Sequence, residues 1–406
     1  MKQLVKPMLI WLAAVYIRLM AYFQKADRRL VLIGAHNGEL YGDNSRYLYE
    51  WMLNNQKDIQ PVWLTGSRDV YRSLLEAGKP VVLQKSWKAI KLMTKAQMGV
   101  YTHSLYDLVF HISWIPERLR LITLRHGKSV KRVRFARKEY KLSQRERRER
   151  LRESDLLCCA ISTSEFISDI QEECLQIGRK KHVVTGYPRN DVLLTPTEKM
   201  EADWNMFLAG LKPSQVILYA PSWRHGFAPT RFFPMDDFDS GKLVEFLEEH
   251  QILLLLRPHF NDLRKFPAAY EAFEHLARRS SLIRFASHQA LPVVYHFLPF
   301  VDVLISDYSS LYHDFLLLDR PMLFVPYDYT EFEQKIGFLY DYFKYLPGPA
   351  VYTFTELCRN LELLLEGQDP YRYSRQILRG LVHEFKDDQS CFRTAMFIRE
   401  RLELKG

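Results

Sequence analysis

Cysteine is scarce, with five residues in 406, at positions 158, 159, 174, 358 and 391. An odd number without paired spacing excludes a disulfide framework and implies reduced thiols in a cytosolic compartment. The adjacent Cys158 and Cys159 fall in the apolar run Leu156–Ile161 and read as two buried strand residues. The sequence also lacks HxxH-type spacing, an acidic triad and a glycine-rich phosphate loop, which argues against a zinc site and a P-loop nucleotidase. Internal repeats and low-complexity segments are absent as well. Long apolar runs are missing too: the N-terminal stretch Met8–Phe23 carries one charge, Arg18. As a helix it rises about 24 Å, short of the roughly 30 Å hydrocarbon core of a bilayer. It therefore reads as a helix lying on a membrane, with Trp11, Tyr16 and Tyr22 suited to the interface and Lys2, Lys6, Lys25, Arg28 and Arg29 to anionic lipid. A signal-anchor span and a helix packed on the protein's own core are the alternatives, and no small-residue cleavage site follows.

What is present is a folded chain of roughly two to three domains, 47% hydrophobic and 26% charged. Its net charge of +9 is concentrated in one place. Between Arg125 and Arg152 thirteen basic residues face three acids, Glu139, Glu146 and Glu149, so that segment alone carries +10 and the rest of the chain −1. The second half, 141–152, mixes Arg and Glu as a solvated helix does. Its first half, Arg125–Arg137, leaves the end of an apolar run and reads as an anion-facing loop.

Short apolar runs alternate with helical stretches along most of the chain. Runs at 30–34, 61–65, 81–84, 98–103, 119–124, 156–162 and 182–185 predict one parallel sheet. Those at 216–220, 252–257, 282–286, 301–306 and 322–325 predict a second. Helices are expected between them, including 263–279 and 311–318, and the segment 195–213 reads as a crossover. The predicted architecture is α/β, two doubly wound domains facing a cleft. The expected division is a membrane-associating helix over 1–28, a first domain over 29–195, a second over 196–385 and a C-terminal helix over 386–406.

Open parallel sheets bind ligands at the carboxyl ends of their strands, so residues at strand ends are the site candidates. In V-D-V-L-I-S-D-Y-S-S-L-Y-H-D-F (301–315), a strand runs into Ser306, Asp307, Ser309 and Ser310 and then a helix, a pattern suited to holding a diphosphate. N-capping explains one such residue but not four. The run 252–257 ends a buried strand in Arg257-Pro258-His259, a guanidinium fork and an imidazole suited to phosphate. The strand ending Y-A-P-S-W-R (219–224) delivers Ser222, Trp223 and Arg224. In T-G-Y-P-R-N-D (185–191), Gly186 and Pro188 make a turn, and Arg189 either ties the domains together or touches ligand. His126 is suited to removing a hydroxyl proton near neutral pH, and Gly127 allows close backbone approach.

Taken in order, H-G (126–127) followed by Lys131, T-G-Y-P-R-N-D, Y-A-P-S-W-R, L-R-P-H (256–259), I-S-D-Y-S-S-L-Y-H-D-F (305–315) and R-P (320–321) resemble the CDP-glycerol glycerophosphotransferase family, the teichoic acid primases and polymerases. The stretch G-E-L-Y-G-D-N-S-R-Y-L-Y-E (38–50) is similar to that family's opening. The resemblance covers about Leu30 to Asp387. It implies a GT-B-like pair of Rossmann-like domains on the cytoplasmic face of the membrane, bound peripherally. It further implies transfer of an alditol phosphate, glycerol phosphate first, from a CDP-alditol donor to a lipid-linked or polysaccharide acceptor, without metal or cofactor. By that resemblance His126 is the general base and His259 stabilises the donor diphosphate. Ser306, Asp307, Ser309 and Ser310 match its phosphate and alditol contacts, and Gly127, Lys131, Gly186, Arg189, Arg224 and Arg257 are the further expected substrate contacts. The chain departs from the family pattern at Phe260, where proline is usual, and at Leu124-Arg125. A glycosyltransferase using a nucleotide sugar is the rival on the same architecture. A non-catalytic membrane-surface or RNA-binding protein is the rival of another class, but the basic segment has only Phe135 and Tyr140 for base stacking, and no nucleic acid partner is expected.

Overall fold

The computed structural model describes residues 2–404 other than 129, 138–141, 225 and 288, with side chains from residue 8 onward except that of Phe260. Lys138 and Lys141 of the basic run therefore lie outside the described residues. Two compact units emerge: residues 1–126, 141–191 and 387–406 form one, and 127–140 with 192–386 the other.

The first unit holds a seven-stranded sheet built from β1 (Asp27–Ile33), β2 (Gln60–Thr65), β3 (Val81–Leu83), β4 (Ala96–Tyr101), β5 (Arg120–Thr123), β6 (Leu157–Ser162) and β7 (His182–Val184). The spatial order is β3-β2-β1-β4-β5-β6-β7, with every described pairing parallel. Strands buried on both faces need apolar residues on both, which is why each reads as a short continuous run. Val31, Ile33, Met98, Val100, Ile122 and Ile161 meet Tyr49 and Met52 of the helix Asp43–Asn55 in one core. The helix Ser390–Arg401 adds Ala395 and Ile398 to that same core. Gly186 explains how the chain turns there: its φ is +84°, and a Cβ would run into the Ser390 hydroxyl.

In the second unit β8 (Gln215–Tyr219), β9 (Ile252–Leu256), β10 (Ile283–Phe285), β11 (Val303–Ser306) and β12 (Met322–Phe324) pair in parallel in the order β10-β9-β8-β11-β12. All twelve apolar runs are strands. The expected helix 263–279 is broken: Phe260–Lys265 and Glu271–Arg279 flank a 3₁₀ turn that begins at Pro267, whose missing N–H and fixed φ interrupt the α-helical ladder. The helix at 311–318 is α-helical only over Leu311–Phe315 and tightens to 3₁₀ before Asp319, which caps it at φ +50°.

The basic run resolves into two parts. Gln144–Leu156 is a helix started by a Ser143–Glu146 capping box, with Arg145 paired to Glu149 at 3.0 Å on an exposed face. From Gly127 onward the first part belongs to the second unit, where Lys131 bridges Phe338 and Arg132 Nε donates to the Phe338 carbonyl at 2.9 Å. Cys158 departs from expectation: alternation along β6 buries Cys159 but leaves Cys158 exposed.

The N-terminal helix runs Lys2–Phe23. One side packs inward through Ala14, Ile17 and Ala21, and Trp114 Nε1 donates to the Ile10 carbonyl at 3.2 Å. Its other side leaves Leu9 57%, Trp11 63%, Tyr22 84% and Phe23 76% exposed. Beside the helix runs a groove of about 600 Å³ lined by Leu9, Leu12, Tyr16, Trp87, Phe110 and Trp114. Among the described residues no helix is long and apolar enough to cross a membrane.

Candidate active site

Each sheet has one switch point, where adjacent strands send their connections in opposite directions and a crevice opens at the carboxyl ends. In the first unit it lies between β1 and β4, and four left-handed non-glycine residues surround it: His36, Asn37, Asp43 and Arg125, with φ between +50° and +58°. Each such conformation costs about 1–3 kcal/mol and persists only where neighbours enforce it. Asp107 is one such enforcer. Its Oδ1 accepts the Asn37 N–H at 2.7 Å and its Oδ2 the N–H groups of Thr102 and His103, both at 2.8 Å, which clamps the loops after β1 and β4 together. Asn44 is another, donating to the carbonyls of Leu124 at 3.2 Å and Arg125 at 2.7 Å.

His126 leaves this frame as an exposed ring at the end of β5. Its imidazole stacks on that of His103, with centroids 4.6 Å apart and planes 12° apart. His103 in turn lies 4.2 Å from the His36 ring. Burial pulls the His103 pKa down to about 4 against the opposing pull of Asp43, so this ring is neutral at physiological pH. Arg189 is buried, and its Nη1 donates to Asp43 Oδ1 and to the His126 carbonyl, each at 2.7 Å. Of the expected contacts in this unit, Arg189 thus holds the His126 backbone, and Gly186 shapes the turn before it.

The second unit has its switch point between β8 and β11. Ser306 is buried and donates to the Ala220 carbonyl at 2.8 Å. Asp307 is also buried. Its Oδ1 accepts the N–H groups of Ser222 (2.8 Å) and Tyr308 (2.5 Å), while Oδ2 pairs with Arg224. The Arg224 guanidinium, fully buried, grips Asp328 at 2.8 Å through both Nε and Nη2. Burial opposes its charge, but Asp307 and Asp328 outweigh that and hold it protonated. Ser306, Asp307 and Arg224 therefore tie the two strand ends together. Ser309 and Ser310 remain half-buried at the start of a helix of only five residues, too short for a strong dipole.

Arg257 also turns inward. Nη1 donates to the carbonyls of Ala286 (2.7 Å) and Leu291 (2.9 Å), and the guanidinium lies over Phe297. His259, by contrast, is exposed and stacks on Trp223, with centroids 5.4 Å apart and planes 11° apart. Its Nδ1 accepts the Asn261 N–H at 3.2 Å, which assigns the ring proton to Nε2 and makes that atom a donor. Gly127, half-buried, opens the segment that carries Lys131 into this unit. Burial lowers the Lys131 pKa to about 8, with Asp307 pulling the other way and Arg224 and Arg137 reinforcing the fall. A lysine so poised gains its proton back when an anion arrives. If Lys131 contacts a donor phosphate, donor binding is expected to be tightest below pH 7 and to weaken about tenfold by pH 9. Lys131→Met is expected to flatten that rise in the donor KM, and a wild-type KM unchanged between pH 7 and 9 removes Lys131 from the contact.

Sequence reasoning missed Asp43, Asn44, His36, His103 and the second carboxylate on Arg224, Asp328. For the two histidines a signal existed: His36 follows the predicted run 30–34 by two residues and His103 closes the predicted run 98–103, so both meet the strand-end criterion applied to every other candidate.

Similarity to known proteins runs along the whole chain. The family described as CDP-Glycerol:Poly(glycerophosphate) glycerophosphotransferase matches residues 16–400. The teichoic acid poly(glycerol phosphate) polymerase of Bacillus subtilis (strain 168) is 28% identical over 351 residues, 83% of this chain and 44% of the relative. This chain thus spans less than half the length of that polymerase. The teichoic acid glycerol-phosphate transferase of Staphylococcus aureus (strain NCTC 8325 / PS 47) is 26% identical over 398 residues, 92% of this chain and 93% of the relative. Among solved structures, the wall teichoic acid polymerase TagF has a TM-score of 0.73 at 20% identity, covering 98% of this chain and 96% of that one. UDP-GlcNAc 2-epimerase from Neisseria meningitidis reaches 0.58 at 12% identity, with 93% and 100% covered. These likenesses are of fold, and the fold is GT-B-like.

Proposed function

Because the chain belongs to the CDP-glycerol:poly(glycerophosphate) glycerophosphotransferase family, we propose that it transfers glycerol phosphate from CDP-glycerol to a hydroxyl of a membrane-linked or glycan acceptor, releasing CMP. The family match over residues 16–400 carries this reading, supported by an exposed histidine at the carboxyl end of each sheet. In the proposed step the acceptor oxygen attacks the β-phosphorus in line. A new P–O bond forms, the bond to the α-phosphate's bridging oxygen breaks, and the electron pair leaves with CMP. His126 takes the hydroxyl proton. His259 Nε2–H, Lys131, Ser309 and Ser310 stabilise the charge gathering on the leaving phosphate. Arg189 positions His126, while Arg224, Arg257, Ser306 and Asp307 hold the shape of the donor region. The unit bearing His126 takes the acceptor role and the one bearing His259 the donor role.

The test is product analysis. Incubation with CDP-glycerol and a lipid-linked acceptor is expected to yield a phosphodiester and CMP; a glycosidic product formed from a nucleotide sugar, with a nucleoside diphosphate released, overturns the reading. CDP-glycerol is also expected to raise the melting temperature, as a ligand selective for the folded state must.

The apolar side of the N-terminal helix, flanked by Arg18 and Lys25, supports peripheral seating on an anionic membrane surface, and the proposed location is that membrane's cytoplasmic face. The chain is expected to sediment with vesicles containing anionic phospholipid, and Trp11→Glu together with Leu12→Glu is expected to release most of it. Equal sedimentation of this variant and wild type overturns that role for the helix.

A further inference from the structure

We propose that His36, His103 and Asp43 form a binding site for one divalent first-row cation of the zinc type at the switch point of the first sheet. Their ligand atoms, one from each residue, all lie within 4.8 Å of one another, and all three residues are partly buried. Tetrahedral zinc with bonds of about 2.0–2.1 Å needs its ligands roughly an ångström closer. Side-chain rotation of His36, whose ring stacks but makes no hydrogen bond among the described residues, can supply that closure.

Three details of the arrangement favour an ion over a plain hydrogen-bonded cluster. Asp43 divides its oxygens: Oδ1 takes Arg189 at 2.7 Å and the Asn44 N–H at 2.7 Å, while Oδ2 faces His103 Nε2 at 3.8 Å. That gap is too wide for a hydrogen bond and suits two atoms sharing a cation. His103 Nδ1 has the outer partner that metal-binding imidazoles require, Thr102 Oγ1 at 2.7 Å, backed by Asp107 Oδ2 at 3.2 Å. The His36 N–H also lies 3.3 Å from Nδ1, so in the empty site the ring proton sits on Nε2. Cation binding at Nε2 moves that proton to Nδ1, where Thr102 Oγ1 accepts it while donating onward to Asp107; no net proton is released, and the His36 N–H gives up Nδ1 as its acceptor when the His36 ring turns toward the ion. Finally, His36 and Asp43 are both held at left-handed φ, +50° and +58°, a strain that brings their side chains to one crevice.

Two imidazoles and one carboxylate suit zinc, and three protein ligands leave a position for water or a substrate hydroxyl. The Arg189 charge beside Asp43 restricts the carboxylate to monodentate binding and makes the site weaker than a closed four-ligand one.

The experiment uses the tag-free full chain without donor or acceptor, so its outcome is independent of the transferase reading. Co²⁺ is titrated and followed by its visible absorption, and retained Zn²⁺ is counted after desalting. Wild type is expected to hold one equivalent of either ion and to melt at a higher temperature with it. His36→Ala is expected to lose both effects while melting like wild type in metal-free buffer. Asp43→Asn is expected to do the same, and because it can perturb the Arg189 pair, His36→Ala is the deciding variant. Retention below a tenth of an equivalent by wild type, or equal retention by wild type and His36→Ala, overturns the site.

Discussion

His126→Ala is expected to lower turnover with CDP-glycerol by about 10²–10⁴-fold while leaving donor affinity nearly unchanged. The ring is exposed and stacks on a neutral His103, so its removal takes away a proton acceptor without opening a core. The loop that carries it is held from elsewhere, by Asn44 on the Leu124 and Arg125 carbonyls and by Arg189 on that of His126. Arg189→Ala should therefore reduce kcat through misplacement of the ring, with less effect on the donor KM. The measurements are steady-state CMP release and calorimetric binding of CDP-glycerol. Turnover of His126→Ala within about tenfold of wild type, roughly 1.4 kcal/mol of barrier, removes it from the base role.

Arg224→Met is expected to be the most destabilising single change in the second unit. The guanidinium is fully buried and joins Asp307 to Asp328, and Tyr308 Oη donates to the same Asp328 at 3.1 Å. Removing the cation leaves two carboxylates near each other without their counter-charge, a loss of about 3–5 kcal/mol. For a unit of this size that lowers the melting temperature by roughly 10 °C. Adding Asp307→Asn and Asp328→Asn should restore part of it, because the neutral amides no longer need the guanidinium. A single variant melting within about 2 °C of wild type refutes the account. Donor affinity is expected to fall along with stability, since Asp307 Oδ1 accepts the N–H groups of both Ser222 and Tyr308 and so holds the two strand ends together.

The sheets were legible because parallel strands have no polar face to disguise them. Runs such as Ile252–Leu256 and Val303–Ser306 show little else but burial, and their spacing leaves room only for crossover helices. Roles at the strand ends were less legible. Ser306 and Arg257 are of the types that bind phosphate, yet here both donate to main-chain carbonyls of their own unit. A hydroxyl or guanidinium carries the same letter whichever acceptor it finds. His103 was passed over for the opposite reason. It meets His36 only because β4 lies against β1, a neighbourhood set by sheet order and not by proximity along the chain. Pro267 shows the finer limit, since the apolar spacing around it continues through a break that the ring imposes.

The helix Ser390–Arg401 closes the core of a unit whose other parts precede residue 192. During synthesis, a nascent chain that has emerged through residue 191 still displays the apolar surface around Tyr49 and Met52, and it must wait for nearly two hundred further residues before that surface is covered. The second unit can mature on the ribosome in the meantime, so the order of maturation reverses the order of translation, and chaperone demand should peak in that interval.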